Sequence, residues 1–289
     1  MRYPAVAGTF YTSSASQLRE EVKGYLEDAK KTVKPASRLA IVCPHAGYAY
    51  SGKCAAYSFA SCSNWKEKDP HLRSRGEDGR TGVLPEITAI IIGPNHTGAG
   101  TPISISFDDW KTPLGEIKCD VKLADAILKN DKMSRKDETA HFAEHSSEVQ
   151  VPFLQLCAPH AKMVGICMGW QDEGAAEGVG RAIFAAVEST KKNVIVIASS
   201  DFTHYEPAAQ ARQKDMAAID FLLKLDEEGF EEIVDERSLS ICGHGPIAAA
   251  MHYAKLAGAK KCELLKYTNS GEATGDSGSV VAYAALAIS

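Results

Sequence analysis

Three apolar runs in this chain end on a histidine, and a cysteine further along sits in a glycine-rich turn. The run 39-LAIVC-43 meets Pro44 and His45, 87-ITAIIIGPNH-96 passes through Gly93 and Pro94 to His96, and 193-NVIVIASSDFTHY-205 delivers Asp201 and His204. Cys242 stands in 242-CGHGP-246, just ahead of a segment that reads as a helix. Two imidazoles and a thiolate are a donor set suited to a borderline-soft transition metal such as iron, copper or zinc. A thiol just before a helix N-terminus is expected to ionise more readily, because the dipole and free N–H groups favour the thiolate. His204 has the chemistry of an acid/base group, and Asp201 that of the carboxylate orienting it or a metal's water. A strand-end histidine taken alone is more often a hydrogen-bonded core residue than a ligand. The repetition of one pattern at three strands is what raises the metal reading.

A rival lies in 141-HFAEH-145, which matches the H-x-x-E-H pattern of zinc peptidases. There His141 and His145 would hold zinc while Glu144 activates water. The pattern needs one continuous helix, however, and Ser146-Ser147 followed by Glu148 reads as a helix beginning rather than ending. The blander reading is a histidine and a glutamate hydrogen-bonded beside a pocket. Cys43, Cys54, Cys62, Cys157, Cys167 and Cys262 sit in apolar contexts as small buried hydrophobes, and Tyr48, Tyr50 and Trp110 read as core packing before pocket lining.

The elements that must position these groups follow a β-α rhythm. Leu39–Cys43 has the length and β-branched content of a buried strand, and Pro44 lacks the N–H to continue a ladder. Further strands are expected at 87–92, 103–107, 162–169, 194–198, 262–268 and 279–288. Helices are expected at 16–31, 53–62, 121–130, 172–190, 207–225 and 246–256, with another from Ser146 or Ser147 onward. The segment 108–120 reads as a hairpin or loop, and 1–11 as an extended stretch packed on the body. This alternation predicts an α/β fold, one domain over 1–289 with a mostly parallel central sheet covered by helices on both faces. In such a sheet ligands bind beyond the carboxyl ends of the strands, where His45, His96 and Asp201 fall. The charged stretch 63–86, which includes His71, is expected to be a surface insertion.

Composition excludes several classes. With 37 acidic against 32 basic residues and a formal charge of −5, there is no electrostatic case for nucleic acid or an anionic membrane. No apolar run approaches the roughly 20 residues that span a bilayer. Eight cysteines without C-x-x-C pairs suit a reduced, cytoplasmic protein rather than a disulfide scaffold.

The phrases 5-AVAGTFY-11, 44-PHAGYAYSG-52, 93-GPNH-96, 110-WKTPLG-115, 144-EHSSEVQVPFL-154, 199-SSDFTHY-205 and 242-CG-243 together resemble the Memo family. The resemblance implies a fold similar to the class III extradiol (LigB-type) non-haem iron dioxygenases, in which two histidines and a carboxylate hold ferrous iron and another histidine acts as acid/base. It carries onto His45, His96 and Cys242 as metal ligands, with His204 and Asp201 as catalytic residues. Cys242 replaces the dioxygenase carboxylate, and a thiolate prefers softer metals and is itself oxidisable. Ring cleavage is therefore not inherited with the fold. The expected function is redox chemistry at iron or copper on an unknown small molecule. The alternative is a peptide- or phosphopeptide-binding adaptor using the same pocket, as the cell-motility role of eukaryotic members suggests.

Overall fold

The structure is a computed structural model that describes residues 1–65 and 87–289. Helix α1 (Ala15–Lys30) precedes strand β1 (Ala40–Cys43) and helix α2 (Tyr48–Ala60). Strands β2 (Ile87–Pro94), β3 (Ile103–Ile105), β4 (Trp110–Thr112) and β5 (Gly115–Cys119) follow, then α3 (Val121–Asn130), β6 (Ser134–Lys136) and the single turn α4 (Thr139–Phe142). After a 3-10 turn at Glu148–Gln150 come α5 (Val151–Cys157), β7 (Lys162–Met168), α6 (Glu173–Thr190), β8 (Asn193–Ser199) and β9 (His204–Glu206). The remainder is α7 (Ala208–Leu223), α8 (Glu227–Glu236), α9 (His244–Leu256), β10 (Cys262–Asn269), α10 (Gly271–Thr274) and β11 (Val280–Ile288). No helix among the described residues is long and apolar enough to cross a membrane.

All strands among the described residues belong to one mixed sheet whose main path runs β10-β11-β1-β8-β2-β7-β3-β6. The inner four, β1, β8, β2 and β7, are parallel, with Cys43 opposite Ser199 and Ala198 opposite Ile92. These strands are buried on both faces, which is why they read as unbroken apolar runs. Successive side chains alternate between two cores. Ile41, Ile91 and Ile197 pack under α1, α2 and α5, while Val42, Ile90, Ile92 and Val196 pack under α3, α6, α7, α8 and α9. Each fully buried isoleucine contributes about 1.5–3 kcal/mol relative to exposure. The α/β fold with helices on both faces is as expected, and the sheet departs from parallel only away from its centre. There β11 runs antiparallel to both β10 and β1, and β3 runs antiparallel to β7.

Several boundaries differ from expectation for local reasons. Helix α2 starts at Tyr48, five residues early, with Gly47 as its non-helical N-cap directly after the His45 turn. Segment 108–120 forms the β4–β5 hairpin. The charged stretch expected as an insertion lies outside the described residues except for Ser63–Trp65, a 3-10 turn whose Trp65 is buried and donates Nε1–H to Phe59 O at 2.9 Å. His71 is outside them too.

The N-terminal stretch is clamped by Glu148, whose side chain is fully buried. Its carboxylate accepts from Ala5 N–H at 2.7 Å, Val6 N–H at 3.1 Å and the Tyr11 hydroxyl at 2.5 Å, and pairs with the Arg2 guanidinium at 2.7 Å. Arg2 also lies 4.3 Å over the Trp110 ring and donates to the carbonyls of His141 and Glu144. Breaking a buried pair strands a charge, so Arg2→Met is expected to lower unfolding stability by about 3–5 kcal/mol. Urea unfolding of the variant beside the wild type measures this, and a loss below about 1 kcal/mol would show that Glu148 is satisfied without the guanidinium.

Candidate metal centre

Strand order brings the expected residues together. Because β8 lies between β1 and β2, the carboxyl ends of these three strands are side by side, and the turns that follow them converge. His45 follows Pro44 at the end of β1 and is buried. Its backbone N–H donates to Asp201 Oδ1 at 2.8 Å, so the turn after β8 holds the turn after β1. Its ring lies between two partners, with Nδ1 3.0 Å from Ser199 Oγ and Nε2 3.2 Å from Cys242 Sγ.

His96 reaches the same place from β2. Asn95 Oδ1 accepts from the N–H groups of Thr97 and Gly98, an Asx turn that reverses the chain and leaves the imidazole about one-third exposed. Glu144 fixes it. Glu144 Oε2 accepts His96 N–H at 2.6 Å, while Oε1 accepts the His96 Nδ1–H at 2.9 Å and the N–H groups of His145 and Ser146 at 2.9 and 2.8 Å. A carboxylate can only accept, so the His96 proton sits on Nδ1 and Nε2 is left with its lone pair. Burial alone would raise the Glu144 carboxyl, but the His96 ring and the backbone donors outweigh it and hold the group at about 2.

The third member of the cluster is His145. The ligand nitrogens of His45, His96 and His145 all lie within 4.8 Å of one another, close enough for one metal ion. The rings of His96 and His145 stack at 4.6 Å, and His45 meets both edge-on at 5.1 and 5.4 Å. Phe10 of the N-terminal stretch closes the outer side, 4.7 Å from His145. Burial, and then the neighbouring imidazoles, push His45 well below the usual histidine range, and burial also lowers His145.

Cys242 sits where expected, immediately before Gly243 and α9, and takes the Asp201 N–H at 3.3 Å. Gly243 is required there, since a Cβ would lie 2.5 Å from the Ser199 carbonyl oxygen. The expected lowering of its thiol does not hold. Burial drives the thiol well above its ordinary range, the Asp201 carboxylate adds to this, and the hydrogen bonds from the Asp201 backbone and Ser200 do not reverse it. Asp201 itself is pushed up to about 6 by burial, against the N–H bonds it accepts from His45 and Ala46. Its carboxylate grips the backbone after β1. His204 lies on β9 and donates Nδ1–H to Ser240 O at 2.8 Å.

The zinc-peptidase arrangement fails on geometry. Helix α4 stops at Phe142, and Ala143 leaves the helical region, so His141 and His145 do not share a helical face. His141 is buried away from the cluster, with Nε2 3.2 Å from Ser104 O and its ring 5.7 Å from Trp110. Glu144 is engaged by four N–H donors rather than free to activate water. His145 as a partner of His45 and His96 was not assigned by sequence reasoning, whereas the blander reading of 141–145, a histidine and a glutamate hydrogen-bonded beside a pocket, matches the bonds of Glu144 to His96 and His145. A signal was present in 144–150, where Glu144, Ser146, Ser147, Glu148 and Gln150 crowd polar groups that all prove to be buried.

A family model described as "Memo-like protein" matches residues 2–287. A MEMO1 family protein of Methanosarcina mazei is 42% identical over 290 residues, covering 100% of this chain and 99% of its own. One from Methanocaldococcus jannaschii is 38% identical over 298 residues, with 100% and 99% covered. Among solved structures, an uncharacterised protein of Escherichia coli K12 aligns with 70% of this chain and 86% of its own, at 12% identity and a TM-score of 0.39.

The depressed Glu144 carboxyl makes stability depend on acid. Its folded value, about 2, lies below the ordinary 4.5, so its contribution is complete above pH 4.5 and is lost as pH falls towards 2. The difference in unfolding free energy between wild type and Glu144→Gln should therefore be largest near neutrality and shrink across that interval. Denaturant titrations at a series of pH values measure it, and a pH-independent difference would mean that the carboxylate's charge is not what holds the turn.

Proposed function

The chain belongs to the Memo-like protein family, and from that premise we propose that it is a metal-dependent redox protein acting on a small molecule. The observation that carries this reading is the convergence of three histidine nitrogens within 4.8 Å, with the Cys242 thiol 3.2 Å from one of them. Imidazole and thiolate donors together suit iron, copper and zinc, and of these iron and copper can carry redox chemistry. His45, His96 and Cys242 are the proposed ligands, with His145 beside them as a fourth donor.

The donor set fits a cation in a second way. Burial favours the neutral forms of His45 and His145 and the protonated thiol of Cys242, so these three groups present uncharged donors to the pocket. A coordinating thiol is deprotonated outright, which makes metal uptake proton-releasing. When bound, iron or copper supplies electron transfer to or from substrate.

The chain's own residues do the rest. With its proton on Nδ1 held by the Ser240 carbonyl, His204 offers Nε2 as the acceptor for a substrate proton. Asp201 acts as a positioning group through the backbone of His45. The His96 ring, about one-third exposed, marks the open side through which a substrate reaches the site. Eight free cysteines, most of them buried, suit a reducing compartment such as the cytoplasm.

Elemental mass spectrometry of protein purified anaerobically tests the proposal. Near-stoichiometric iron or copper is expected in the wild type, lost in His45→Ala and Cys242→Ser and reduced in His145→Ala. No retained metal in the wild type, even after reconstitution with ferrous or cuprous ion, would overturn it and leave a pocket used for binding a peptide.

A further inference from the structure

The hydrogen bonds behind His45 have a fixed direction, and following them identifies two residues that set its chemistry. The Ser199 hydroxyl lies 2.7 Å from Ser146 O, 2.9 Å from Gln150 Nε2 and 3.0 Å from His45 Nδ1. A hydroxyl has one proton to give and two lone pairs to receive with. The Ser146 carbonyl can only accept, so the Ser199 proton goes there. Gln150 Nε2 can only donate, so it fills one lone pair of Ser199. The orientation of the Gln150 amide is itself set, since Nε2 also donates to Pro44 O at 2.9 Å, where an amide oxygen would meet another oxygen.

One lone pair of Ser199 then remains, and His45 Nδ1 faces it. We propose that Ser199 and Gln150 are positioning residues that hold the His45 proton on Nδ1 and thereby present Nε2, on the Cys242 side, as the ligating atom. The proposal rests on the metal reading above and deepens it. His96 receives the same instruction from a different group, the Glu144 carboxylate, so both imidazoles direct Nε2 outward. Both holders depend on one stretch, 144–150, which supplies Glu144, the Ser146 carbonyl and the Gln150 amide.

The arrangement also accounts for an otherwise unexplained atom. Gln150 Oε1 is buried and has no hydrogen-bond partner among the described residues, although Gln150 is fully enclosed. An orphaned buried acceptor is destabilising. Turning the amide over would satisfy nothing, because both of its neighbours, Pro44 O and Ser199 Oγ, need the amino group. The lone Oε1 is therefore the consequence of committing both Gln150 donors to the two turns that carry His45.

Long-range proton–nitrogen correlation spectra of the metal-free protein, with His45 assigned against His45→Asn, read the tautomer directly. The wild type should carry the His45 proton on Nδ1. In Ser199→Ala the proton should move to Nε2, and affinity for zinc ion, used as a diamagnetic probe in a competition titration, should fall about 10–100-fold. Ser199→Thr, which keeps the hydroxyl, should restore both readouts, and Gln150→Met should weaken zinc binding in the same direction. A wild type with the proton on Nε2 would overturn the proposal, and this result needs no variant to fold. So would a Ser199→Ala protein that keeps both the tautomer and the zinc affinity. A wild type that has the expected tautomer but takes up no zinc, iron or copper would instead defeat the metal reading and leave the relay standing.

Discussion

A carboxylate removed from water must be met by donors, and in this protein the burial of Glu144 organises the site around it. Four N–H groups converge on its two oxygens, and three of them belong to His96 and His145. Satisfying that charge therefore brings two imidazoles together, because the donors it recruits are the backbone and rings of the histidines themselves. The turn so formed seats on the end of β2 only because Gly93 has no side chain, as a Cβ there would collide with Ser146. Four residues on, Glu148 repeats the device in the opposite direction and binds the N-terminal stretch, including Arg2 and Tyr11. The segment 144–150 is a polar wedge between the N-terminal residues and the sheet, each buried group turned towards a different element.

Burial in the resulting pocket opposes charge on four of its groups. Burial lowers His45 and His145, raises Cys242, and raises Asp201 to about 6. Only Glu144 is driven firmly to its ionised form. A carboxylate fixed behind the imidazole cluster is an environment in which a cation is stabilised by lone pairs in front and by negative charge behind.

Much of this was legible in the sequence. Pro44, Gly93-Pro94 and Ser200-Asp201 end apolar runs that only strands can bury on both faces, so the positions of His45, His96 and Asp201 followed from strand grammar. That His45 and His96 are neighbours required the strand order, and periodicity carries no information about which strand lies between two others. His145 was obscured for a related reason. It belongs to no strand end, and its spacing from His141 suggested a helix that the chain abandons after Phe142. The place of Cys242 before α9 was legible, whereas its ionisation was not. A helix start announces itself in local sequence, but the depth at which the turn is buried depends on β8, β1 and Asp201. Strand direction was the other hidden quantity, and apolar β11 reads the same whether it runs with β1 or against it.

That antiparallel partner of β1 imposes an order of events on the chain. Strand β1 leads into His45 and is flanked by β8 on one side and β11 on the other, segments that begin only at Asn193 and Val280. Neither neighbour exists while the ribosome is still translating the middle of the protein. The strand that bears the first proposed ligand is therefore an unpaired ribbon through much of synthesis, and a metal ion met during that time would find scattered side chains rather than a site. The proposed centre can therefore form only late in the life of each molecule, once β8 and β11 have been made.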